Sequence, residues 1–229
     1  MILLNDEPSI GVIQMNIYVI NLKRRPDRLA QMTSEYGPTF VRIEALDGND
    51  PETDLGENNL CLDPESACWL SHQRAWQAMI ANSCDYALIL EDDAQLNPNY
   101  ELEEVYSQAM HFVRSKNIDL LQLGFFQDLG RKKTLLIKLR VLKEKAPPLN
   151  FLIDVSPNQH GIGTHAYLIS RNGAERLSKI NRPVFLAADA ALMYLAQGQT
   201  RPQKVKIWQL RNSIFHQRPL TPSNRSDVQ

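Results

Sequence analysis

Hydrophobic positions along the chain fall into short β-branched runs separated by amphipathic stretches. NIYVINL, residues 16 to 22, reads as a buried strand. The cationic turn KRRPDR follows, and then an amphipathic helix with Pro26 in its first turn and Gly37 just past its end. TFVRIEAL, residues 39 to 46, alternates as a second strand, so the chain opens β-α-β before the polar loop DGNDPETDLGENN. ESACWLSHQRAWQAMIAN predicts a helix beginning near Pro64, with Asp63 as its N-cap and Glu65 in its first turn. Cys68, Ala75, Trp76 and Met79 lie three, four or seven residues from His72, which places His72 on the inward face.

YALILE then reads as a strand, PNYELEEVYSQAMHFVRS as a helix and IDLLQLG as a strand. From residue 125 to 161 the pattern loosens, and this stretch is expected to be a lid or acceptor-side insertion with little core of its own. GTHAYLIS is a strand, Ser170 can cap the helix RNGAERLSKI, AADAALMYLAQ is a short helix and QKVKIWQL a last strand. Alternation of this kind predicts an α/β fold with a mostly parallel, Rossmann-like central sheet flanked by helices. With no internal repeat and no clean linker, a single domain over 1–217 is expected, followed by a flexible tail over 218–229.

Composition narrows the functional classes. The 229 residues are 43% apolar and 22% charged, which is ordinary for a globular chain, and the net charge of -1 removes the electrostatic case for a nucleic-acid partner. Cys61, Cys68 and Cys84 match neither a zinc pattern nor a CxxC pair, and the N-terminus has no signal-peptide pattern. No apolar run approaches a membrane span, so a cytoplasmic location is expected. Peripheral contact with the inner face of the membrane remains open through the basic, apolar residues 131–145.

LILEDDA carries the strongest chemical signal: an aliphatic strand delivers three adjacent carboxylates, Glu91, Asp92 and Asp93. Ligands of open α/β sheets settle beyond such strand ends. Clustered hard oxygens suit Mg²⁺ or Mn²⁺, which would stabilise charge on a departing nucleotide phosphate. The alternative is a solvated loop whose acids favour the next helix N-terminus. Arg24, Arg25 and Arg28 supply complementary charge after the first strand, as phosphate ligands or as a solvated basic helix start. Ser71 and His72 are neighbours on a helix and point about 100° apart, so they make a poor nucleophile-base pair. His72 is instead a satisfied core residue or a hydrogen-bond donor to a ligand. Asp189 is the candidate base, unless it merely caps its helix, and His216 is a candidate metal ligand or a surface residue.

Taken in order, IYVINLKRRPDRL, RIEALDG, ESACWLSHQRAW, YALILEDDA and GTHAYLISRNGAERL resemble glycosyltransferase family 25, over roughly residues 16 to 195. The family comprises bacterial lipopolysaccharide and lipooligosaccharide glycosyltransferases and relatives of the collagen galactosyltransferases. The resemblance implies a GT-A type fold and metal-dependent, inverting transfer of a sugar, most often galactose, from a UDP-sugar to a saccharide or glycolipid acceptor. It places Asn21, Arg25, Arg28 and Asp47 near the nucleotide, and Ser71 and His72 along the donor pocket. Glu91 and Asp93 become metal and ribose partners with Asp92 between them, Asp93 and Asp189 the catalytic acids, and Asp93, Glu91 and His216 the ligands of Mn²⁺ or Mg²⁺. Trp69 and Ala67 depart from the small residue and glycine common in the family, and FLAA intervenes before Asp189. Competing readings are a catalytically silent nucleotide-sugar-binding module and a membrane-surface adaptor. A response-regulator receiver is disfavoured because LLQLG ends without an acid.

Overall fold

Ile17–Asn21 forms strand β1, with every residue buried, and the turn after it leads into helix α1, Pro26–Tyr36. This computed structural model describes residues 14–126, 152–154, 162–196, 205–210 and 212–218. Gly37 ends α1 at φ 74°, a left-handed backbone angle that glycine adopts without strain. The chain continues through β2 (Val41–Glu44), α2 (Asp63–Ala81), β3 (Tyr86–Glu91), β4 (Ala94–Leu96), α3 (Leu102–Lys116) and β5 (Leu120–Phe126). It then forms β6 (Leu152–Asp154), β7 (Ile162–Ser170), α4 (Arg171–Leu177), α5 (Ala188–Ala196), β8 (Ile207–Leu210) and β9 (Phe215–Gln217).

The strands lie in the order β2-β1-β3-β7-β5-β8-β6. Parallel pairing joins β1 to β2, β1 to β3 and β5 to β8, whereas β7 runs antiparallel to both β3 and β5. Of these seven strands, all but β7 and β6 therefore point the same way. β9 pairs with β4 and touches β5 at Gly124. The fold is α/β, a mostly parallel sheet flanked by helices.

Alternate strand residues feed two cores, as the pleat requires. Tyr18, Ile20, Ile89 and Tyr167 pack on one face with Trp76 and Met79 of α2. Ile17, Val19, Leu88 and Leu90 pack on the other with Met32 of α1 and Tyr106 of α3. Burial on both faces explains why the strands read as continuous apolar runs.

Three expectations need correction. Leu62, not Asp63, occupies the N-cap position of α2, and Glu65 supplies the cap by accepting the Leu62 N–H at 3.3 Å. Arg218, grouped by sequence with the tail, belongs to the folded domain: it is buried, its N–H donates to the Asp93 carbonyl at 3.0 Å, and its guanidinium pairs with Glu35 at 2.6 Å. Within the expected lid, Phe125 and Phe126 finish β5 and Leu152–Asp154 forms a strand. The remainder of that segment, including 131–145, and residues 219–229 lie outside the described residues.

Gly48 seats the loop after β2 against the start of α2. A Cβ there would lie 2.5 Å from the Asp63 carbonyl and from the Pro64 Cα, which are backbone atoms with little room to yield. Gly48→Ala should therefore cost about 1–3 kcal/mol through overpacking. Urea unfolding checks this, and unchanged stability would show that the loop moves freely.

Candidate functional site

Strands β1 and β3 run side by side with Ile20 opposite Glu91, so Asn21 and the three acids meet at the C-terminal ends of these two strands. The Asn21 amide donates to Asp92 Oδ2 at 2.8 Å and to the Arg25 carbonyl at 2.9 Å, and its oxygen accepts from Arg42 Nε at 3.0 Å. Arg28 comes from the first turns of α1, where the turn KRRP points it back over the sheet. Its guanidinium bonds Asp92 Oδ1 at 2.9 Å and lies 3.7 Å from Asp93 Oδ2. Asp92 thus has both oxygens engaged by protein groups. Asp93, nine-tenths buried beside it, has its buried Oδ1 without a hydrogen-bond partner among the described residues.

Environment separates the three carboxyls. Burial raises Asp92, against the opposing pull of Arg28 and Asn21. Burial and then the charges of Glu91 and Asp92 push Asp93 up to about 7. For Glu91, burial also acts upward, but the hydrogen bonds from His72 and Thr164 prevail and hold it low.

The facing wall is one stripe of α2. Pro64, Ala67, Cys68, Ser71 and His72 recur at three- and four-residue spacing and line the same cavity as the acids. The Ser71 hydroxyl is spent on structure, since it donates to the Ala67 carbonyl at 2.6 Å and accepts the Leu46 N–H at 2.9 Å. It holds the loop that carries Asp47. His72 Nδ1 lies 2.9 Å from the Tyr167 hydroxyl and its Nε2 lies 3.4 Å from Glu91 Oε1, the oxygen that also accepts from Thr164 at 2.7 Å. Ligand atoms of Cys68, His72 and Glu91 all fall within 4.8 Å of one another.

This cavity is small, about 120 Å³. A basin of about 850 Å³ adjoins it across the shared wall of Ala45, Leu46 and Asp47, and its lining mixes the cations of Lys23, Arg24 and Arg74 with the carboxylates of Glu44, Asp47, Asp50 and Asp54. Asp47 pairs with Arg24 there, and that hydrogen bond lowers its pKa.

Asn21, Arg28, Asp47, Ser71, His72, Glu91, Asp92 and Asp93 are thus brought together as the sequence suggests. Three residues stand apart. Arg25 lies outside the cavity wall and pairs with Asp27 at 2.7 Å. His216 is exposed on β9, where its neighbour Gln217 reaches the cavity instead. Alternation along the strand turns the two residues to opposite faces. Asp189 lies half-buried in the first turn of α5 and accepts the Ala190 N–H at 2.7 Å; it lies outside the cavity lining, although burial, then the charges of Glu91 and Asp189, raise the Cys68 thiol. Sequence reading missed Thr164, Tyr167 and Gln217. Cys68 was within reach, because it precedes His72 by one helical turn.

Glu91 and Asp93 together offer hard oxygen donors to a divalent cation, and the unpartnered Asp93 Oδ1 is the atom that fits one. The sequence model described as "Glycosyltransferase family 25 (LPS biosynthesis protein)" matches residues 14–192. A "Glycosyltransferase 25 family member" of Drosophila melanogaster is 28% identical over 195 residues, covering 76% of this chain and 29% of its own. "Procollagen galactosyltransferase 2" of Homo sapiens is 26% identical over 72% of this chain and 27% of its own. "Inactive glycosyltransferase 25 family member 3" of Mus musculus is 25% identical over 90% and 36%. The chain spans about a third of these relatives' lengths or less.

Asp93 carries a pH signature. Its folded pKa of about 7 stands above the ordinary 3.8, so its contribution to stability is fully present below about 3.8 and is lost as pH rises through about 7. Without divalent metal, Asp93→Asn should gain stability over the unmodified chain as pH rises across that window. Urea titrations at both ends check this, and a pH-independent difference would contradict the assignment.

Proposed function

Because the chain belongs to glycosyltransferase family 25, we infer that it transfers a sugar, galactose in the first instance, from a UDP-sugar to a saccharide or glycolipid acceptor with inversion at C1. The observation that carries this reading is the buried Asp93 Oδ1, without a partner among the described residues, in a cavity that shares the wall of Ala45, Leu46 and Asp47 with a larger, charged basin. Glu91 and Asp93 would hold Mn²⁺ or Mg²⁺, which when bound supplies positive charge against the diphosphate.

The remaining work falls to the chain's own groups. Arg28 fixes Asp92 at 2.9 Å and stands farther from Asp93, 3.7 Å from its Oδ2, so that Asp93 Oδ1 is the oxygen left for a ligand. Asp47 stands in the wall that the small cavity shares with the basin and Arg24 lines the basin, where the bulk of a nucleotide sugar has room. The acceptor hydroxyl oxygen attacks C1 and the bond from C1 to the phosphate oxygen breaks, with its electron pair leaving on UDP. Asp189 takes the hydroxyl proton. The proposed setting is the cytoplasm, with 131–145 as the segment for peripheral contact with the inner membrane face. Among the described residues no helix is long and apolar enough to cross a membrane.

The mouse relative's name, with "inactive" in it, favours a second reading, a nucleotide-sugar-binding module without turnover. Calorimetry with Mn²⁺ and UDP-galactose, paired with an assay of UDP release, separates the two: binding without release supports the module. For a transferase, Asp93→Asn at saturating metal should reduce release by roughly a hundredfold or more. Asp189→Asn should keep donor binding and slow transfer by about 10²- to 10⁴-fold. Near-normal turnover in either variant removes that residue from its role.

A further inference from the structure

The Tyr167 hydroxyl sits 2.9 Å from Trp76 Nε1 and 2.9 Å from His72 Nδ1. All three residues are at least 98% buried. Indole N–H can only donate, so the hydroxyl oxygen accepts from Trp76. That leaves the phenol one hydrogen to place, and among the described residues His72 Nδ1 is the acceptor within reach. Were the imidazole to donate from Nδ1, the phenolic hydrogen would be stranded in the buried core without an acceptor, which proteins avoid. Ionising the phenol does not avoid this, because burial pushes Tyr167 well above its usual range. The hydroxyl therefore donates to Nδ1, and a neutral ring with no hydrogen on Nδ1 carries it on Nε2, facing Glu91 Oε1 at 3.4 Å.

We propose that Trp76 and Tyr167 are positioning residues that act through His72, fixing its imidazole as a neutral Nε2–H donor to Glu91. The chain of donors runs Trp76 to Tyr167 to His72 to Glu91. With Thr164 on the same oxygen, Glu91 Oε1 is committed to the protein, and Oε2 makes no hydrogen bond among the described residues. An Nε2 that bears hydrogen has no lone pair for a metal. In this arrangement the grouping of Cys68, His72 and Glu91 acts as a carboxylate support, and His72 would ligate a metal through Nε2 only after giving up the hydrogen there. The importance of this for donor binding rests on the proposed function of the site; the tautomer does not.

Histidine ¹⁵N labelling of the full, metal-free chain near neutral pH tests the proposal by long-range ¹H–¹⁵N correlation. His72→Gln identifies the His72 signals by their loss. The expected pattern is a pyridine-type shift at Nδ1 and a pyrrole-type shift at Nε2. Glu91→Gln should retain that pattern, because the order is imposed from the Trp76 end. Adding Tyr167→Phe to Glu91→Gln should let the other tautomer appear. A pyrrole-type Nδ1 in the unmodified chain, alone or with a protonated Nε2, overturns the proposal without reference to any variant. So does a switch of tautomer in Glu91→Gln alone. The spectrum reads the same whether or not the chain transfers sugar, so failure here is distinct from failure of the transferase reading.

Discussion

Three consecutive carboxylates at the mouth of one strand would repel each other and resist burial, and the fold solves this by treating each differently. Asp92 is bound on both oxygens, by Arg28 and Asn21. Glu91 is held ionised by His72 and Thr164. Asp93 is left buried with an unfilled oxygen, raised by burial and by the charge of its neighbours. Unpartnered buried carboxylates are costly enough that proteins usually satisfy or neutralise them. A site that keeps one is suited to a ligand that brings positive charge.

The sheet order makes this arrangement possible. Because β7 returns antiparallel between β3 and β5, its first residues arrive beside the last residues of β3. Thr164 and Tyr167 are thereby delivered to Glu91 and His72 across long separations in sequence. On the other side, the parallel neighbour β1 brings Asn21 and the arginines of the following turn. α2 closes the cavity with a single stripe, and Ser71 and Gly48 fasten that stripe to the loop after β2. The charged groups are thus placed by backbone pairing and helix packing more than by one another.

Much of this was legible in the sequence, for identifiable reasons. Strands buried on both faces, such as β1 and β3, leave apolar runs that are hard to miss. The inward turn of His72 follows from its helical spacing to Trp76 and Met79. The Arg28 and Asp92 pair was foreshadowed by charge complementarity between two strand ends, although the division of labour among the acids was not. The three-residue strands β4, β6 and β9 are too short to carry periodicity. The antiparallel insertion of β7 is a long-range choice that local pattern does not encode, so Thr164 and Tyr167 could not be assigned to the site. Sequence neighbours of acids and histidines can likewise face away from a site they resemble on paper, as His216 does beside Gln217.

Crystals grown with Mn²⁺ and UDP, measured at the manganese absorption edge, test the central claim most directly. The account predicts an anomalous peak against the Asp93 carboxylate, beside Glu91 and the diphosphate. Ordered UDP with no such peak, or manganese seated elsewhere with Asp93 still unpartnered, would contradict it.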